Sequence, residues 1–210
     1  MLALATGCPA EKHEATPDTT RADVEARRLP RDTAAVFARV GDADIRMLAA
    51  LINASEISAG SLAARKATVA DVRSFASDMV ADHTAMQRSS GGDTTSVGGT
   101  TPAGRARADT LRRVSRRQAD SLAALPRGAA FDRAYIDQQL SAHSMALDSL
   151  QRWAAQTRSG ALRAMIGASI PKVQSHLDQA RAIQASLGGM IRAAHRTGRD
   201  TAARPDTSRP

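Results

Sequence analysis

"TVADVRSFASDMVADHTAMQR", residues 68–88, sets the period by which the rest of the chain is read. Val69, Val72, Ala76, Met79, His83 and Met86 follow one another at spacings of 3, 4, 3, 4 and 3. That spacing puts all six on one face of a helix. All are apolar except His83, whose burial costs free energy unless a partner meets it. The stretch therefore predicts a core-facing helix with one residue that apolar packing does not explain.

Three more stretches carry the same period. Residues 42–66 place Ile45, Leu48, Ile52, Ala59 and Leu62 in line, with Asp42 as the expected N-cap after Gly41. The quoted stretch starts a second helix at Thr68, its expected N-cap, and ends near Arg88 before the glycine-rich run 91–104. Residues 131–157 align Ile136, Leu140, Ala146, Leu147, Leu150 and Ala154. After Gly160 the fourth carries Leu162, Ile166, Val173, Ala180, Ile183 and Leu187. Pro171 interrupts this last helix and is expected to kink or restart it. Short turns near Ala67 and Ser159 make each successive pair antiparallel, while about 40 residues join the pairs. Within that join, residues 105–125 form a basic helical segment closed by Pro126 and Gly128. The expectation is an all-α four-helix bundle with a long, partly helical crossover between helices 2 and 3.

Composition agrees. Aromatics are only 2% of the chain, so the core must be aliphatic and alanine-rich, which suits closely packed helices over sheet. The net charge is +8, mostly arginine, which favours polyanionic partners without selecting one. Outside the bundle, expected at 33–192, residues 9–32 read as a flexible tether and 193–210 as a disordered tail. Residues 1–8, "MLALATGC", resemble a truncated signal sequence ending in a lipobox, with Cys8 as the lipidation candidate. A single cysteine allows no intrachain disulfide. No other segment is expected to span a membrane.

His143 falls between Leu140 and Leu147, and His176 between Val173 and Ala180, both at spacings of 3 and 4. With His83 they point inward from three helices at comparable depth. The first helix offers Glu56, four residues after Ile52 and three before Ala59. Imidazole and carboxylate suit one divalent transition metal, zinc, iron, manganese or copper. The same four residues also satisfy one another in a plain hydrogen-bonded cluster, with Ser55 and Ser169 in reach, and both readings stay open. Asp82 and Tyr135 are expected to back the cluster, Tyr135 by donating a hydrogen bond. His13 and His195 fall in the tails.

Three blocks taken together resemble a known family. They are "EISAGSLAARKATVADVRSFASDMVADH" (56–83), "GAAFDRAYIDQQLSAHSMALDSLQRWA" (128–154) and "IPKVQSHLDQA" (170–180). The chain resembles the bacterial envelope proteins grouped as domain-of-unknown-function family 4142, over roughly residues 33–190. The resemblance implies a ferritin-like helical fold, export to periplasm or outer membrane, and no assigned activity. It makes Pro171 an expected feature. Di-iron chemistry does not follow, because the residues three before His83 and His176 are Val80 and Val173 rather than glutamates.

Other chemistries find little support. Six arginines lie within residues 105–117, but no aromatic is interleaved for base stacking, so nucleic acid is not the expected partner. An anionic envelope surface is. No Gly-x-Ser-x-Gly elbow or nucleotide-binding Gly-Lys-Ser/Thr loop occurs. The leading expectation is a non-enzymatic, lipid-anchored envelope protein, metal-binding and stress-related. The alternatives are a metal-dependent oxidoreductase using the same residues, and an interaction module using the arginine-rich crossover.

Overall fold

The computed structural model describes residues 40–90 and 100–202, all helix and turn with no strand among them. Five helices follow in order: α1 Asp42–Lys66, α2 Ala70–Ser89, α3 Pro102–Ala124, α4 Ala129–Gln156 and α5 Gly160–Ala202. α1 packs chiefly on α2, α4 on α5, and the crossover helix α3 lies against α1. The leader and tether, including Cys8 and His13, lie outside the described residues.

Helix ends are fastened by two buried carboxylates. Asp44, in the first turn of α1, accepts from the amides of Gly41 (3.1 Å) and Thr101 (2.9 Å) and from the Thr101 hydroxyl (3.0 Å). It thereby ties the start of α1 to the start of α3. A side chain at Gly104 would bring its Cβ to 1.9 Å from Asp44 Oδ1, so only glycine fits there. Asp132, fully buried in α4, accepts from the amides of Thr68 (3.0 Å) and Val69 (3.0 Å) and from the Thr68 hydroxyl (2.6 Å). The turn between α1 and α2 is thus capped from a distant helix.

Several expectations need correction. The N-caps are Gly41 and Val69, one residue to either side of Asp42 and Thr68. Asp42 instead accepts from the Thr157 hydroxyl at the far end of α4 (2.7 Å), and Thr68 gives its donors to Asp132. α5 does not restart at Pro171 but runs through it as one helix. The carbonyl that loses its donor belongs to Gly167, which is exposed and can be hydrated. Nor does that helix stop at 192. Its backbone continues to Ala202, because Ala and Arg favour helix and no proline intervenes before Pro205.

α1 is also long and apolar enough to cross a membrane, with a mean hydropathy of 1.3 over 18 residues, contrary to expectation. Here 44% of that window is buried inside the bundle. Its buried Asn53 and Glu56 are hydrogen-bonded to α2 and α4.

The core is divided along its length. One apolar cluster gathers Val72, Phe75, Met79, Phe131, Tyr135 and Ile136. Another gathers Ile45, Leu48, Leu111, Trp153, Leu162 and Ile166. On α1, α4 and α5 a polar stretch separates the two: Asn53 and Glu56, Gln139 and His143, and His176. On α2, His83 follows directly on the first cluster. The polar residues therefore form one layer across the bundle.

Candidate metal centre

Each histidine is positioned by the periodicity of its helix and is almost fully buried, at 3% exposure for His83, 2% for His143 and 1% for His176. Their ring centroids lie 5.8 Å (83–143), 5.5 Å (83–176) and 5.3 Å (143–176) apart. One ring nitrogen from each lies within 4.8 Å of those from the other two.

The second ring nitrogens are all occupied by oxygen atoms. His83 Nδ1 is 3.0 Å from the Asn53 side-chain oxygen, and His143 Nδ1 is 3.0 Å from the Gln139 backbone carbonyl. His176 Nε2 is 2.9 Å from the Asp82 carboxylate, whose other oxygen accepts from Lys172 (2.9 Å). A carbonyl or carboxylate only accepts, so these three nitrogens carry the protons. In neutral rings, His83 Nε2, His143 Nε2 and His176 Nδ1 are left as lone-pair acceptors. All three are buried without a hydrogen-bond partner.

Electrostatics disfavour charge on His83 and His143. Burial, then the neighbouring His143 and His176, holds His83 well below its ordinary 6.5. His143 is lowered to about 4 by burial and by His176. Asp82 is partly desolvated, which alone would raise it, but hydrogen bonds from Lys172 and His176 hold it below 3.8.

Three unpartnered acceptors cost roughly 3–9 kcal/mol together, at about 1–3 kcal/mol each. A water molecule has two hydrogens and answers two of them. A cation answers all three. Nitrogens at about 2.0–2.1 Å from a tetrahedral ion stand about 3.4 Å apart. Closing the triangle from 4.8 Å therefore takes ring movements on the order of 1 Å.

Glu56 does not join the triangle. It lines the same cavity as His83 and His143, but its carboxylate accepts from the Gln139 side-chain amide at 3.0 Å. Burial raises it from 4.5 to about 7, against the opposing effect of that hydrogen bond. Tyr135 is fully buried against Phe75, and its hydroxyl has no hydrogen-bond partner, contrary to the expectation that it donates to the cluster. Burial and then the Glu56 charge push that hydroxyl well above 10. Asn53 and Gln139 are the two members that sequence reading misses. A signal exists for both: Asn53 lies three residues before Glu56, and Gln139 four before His143, so each shares a face with a chosen residue.

The family whose description reads "Domain of unknown function (DUF4142)" matches residues 28–183, most of the chain. The chain belongs to this family. No curated protein and no solved structure matches it. The family match spans α1, α2, α3, α4 and the part of α5 that carries His176, so the polar layer lies wholly within the family's domain.

Proposed function

We propose that this DUF4142 protein binds one divalent transition metal through His83, His143 and His176. The reading is supported by one observation above all: three buried imidazoles converge, and in each ring one nitrogen is held by an oxygen while the other has no hydrogen-bond partner. Outer oxygen partners of this kind orient metal-binding histidines and raise their basicity. A neutral set of three imidazoles suits zinc or copper, and iron less well; manganese favours oxygen donors. Three histidines plus one further position is also a ligand set of reactive zinc. Glu56 stands beside this set rather than in it.

In this reading the domain is a ferritin-like bundle in which α1/α2 and α4/α5 are the two antiparallel pairs and α3 is the crossover. Its histidines come without the paired glutamates of di-iron proteins, so it works with a single ion. The wider role proposed is a non-enzymatic, stress-related protein of the cell envelope, anchored by lipid at Cys8. The alternative of a metal-dependent oxidoreductase uses the same three histidines.

Elemental analysis after dialysis against each metal, in protein lacking an affinity tag, tests the site. One ion per chain is expected, lost in the His83→Ala, His176→Ala double variant. At free metal 1,000-fold above its Kd, the ion should stabilise the fold by about 4 kcal/mol. Metal-free protein whose melting temperature ignores both metal and chelator overturns the reading.

A further inference from the structure

Beside the histidine layer lies a cavity of about 100 Å³. The order of residues along the helices gives it two ends. Toward the apolar cluster of Leu111 and Ile166 its wall is mainly hydrocarbon, with Val114 of α3 part of it and Ser115, Gln118, Ser149 and Ser169 interspersed. Toward the polar layer it is lined by Glu56, His83 and His143. Two of the unpartnered nitrogens, His83 Nε2 and His143 Nε2, thus belong to residues that line it. Met86, Met145 and Met165 complete the wall. Unbranched thioether side chains adapt their shape to what they contact, which favours a ligand over a rigid packing defect.

We infer that this cavity is a binding site for a small molecule with an apolar body of about four to six carbons and a small oxygen head group with one or two donor atoms. The body lies against Leu111, Val114 and Ile166, and the head faces the histidines. The head's partner rests on the metal reading, as the ligand that completes the coordination of the ion. The body's site rests on the cavity alone. Apolar cavities of this order stay dry and take up ligands the size of a benzene ring. A buried head group finds here both a cation site and the Glu56 carboxyl, so its desolvation is compensated.

A chain-length series separates these elements. Isothermal titration with alkyl hydroxamates, from acetohydroxamate to octanohydroxamate, is run on zinc-loaded protein. The matching n-alkanols are run on loaded and chelated protein. Affinity is expected to rise about fourfold per methylene up to about six carbons and then stop rising. Val114→Phe, which fills the cavity far from the histidines, should flatten the series while leaving acetohydroxamate binding unchanged. Should that variant fail to fold, Leu111→Phe makes the same comparison from the preceding turn of α3, which carries none of the histidines. Zinc uptake with no chain-length gain in the wild-type protein overturns the cavity proposal and leaves the metal reading standing. No zinc uptake, with a chain-length gain among the alkanols that the filled variant loses, overturns the metal reading and supports the cavity. Flat series throughout, without zinc, overturn both.

Discussion

Replacing Glu56 with glutamine should change how steeply the stability of the metal-free protein depends on pH. Between about pH 5 and 6.5, folded His143 stays neutral and folded His83, also lowered, holds its proton less than its unfolded counterpart does. Two lowered imidazoles make stability fall as pH falls. Glu56 acts in the opposite direction. Raised from 4.5 to about 7, it keeps its proton in the folded state where the unfolded chain has released it. In the wild type the two effects oppose each other, so stability changes less steeply with pH than the histidines alone would make it. Asp82, held below 3.8, contributes only at lower pH. Glu56→Gln removes the opposing proton and should steepen the rise by about 1.4 kcal/mol per pH unit. By pH 8 the difference has accumulated in full. Ionised Glu56 is then about 3 kcal/mol less stable folded than unfolded relative to its neutral form. The variant, which keeps a side-chain oxygen to accept from Gln139, should therefore melt about 6–12 °C above the wild type. Urea titrations of chelated protein at half-unit pH steps measure both effects. Equal slopes in the two proteins, or a variant less stable than the wild type at pH 8, would refute the account of the polar layer.

Two further substitutions separate binding from folding. Asp82→Asn replaces the carboxylate that accepts from His176 Nε2–H with a weaker acceptor and should lower metal affinity about 10–100-fold, read by competition with a chromogenic chelator. Its chelated form should unfold within a few degrees of wild type, since Asp82 is only partly buried. Asp132→Ala removes a fully buried carboxylate that accepts from two amides and a hydroxyl of the α1–α2 turn. It should cost about 3 kcal/mol in urea unfolding with metal binding retained by the fraction that folds; an unchanged midpoint would remove Asp132 as the fastener of the α1–α2 turn.

How far the sequence carries can be judged residue by residue. The spacing from Val69 to Met86 suffices to bury Val72, Ala76, Met79 and His83 together, because facing within a helix is a local property with a period of 3.6. The same rule turns His143 and His176 inward and places Glu56 at their depth. Helix ends are less legible. Asp44 and Asp132 look like ordinary first-turn acids, yet both bind groups on other helices, over separations of 57 and 64 residues. Propensity extends to no such partner.

By itself, the amino-acid order determined an all-helical chain and an inward polar residue on each of four helices, since both follow from local periodicity and from which residues break it. Tertiary packing alone decided the rest. Three imidazoles converge while Glu56 pairs with Gln139, and Asn53, Gln139 and Asp82 choose which nitrogen of each ring is left free. The reason is that a helix dictates the direction of a side chain, whereas its axial level and ring rotation depend on the neighbours it meets.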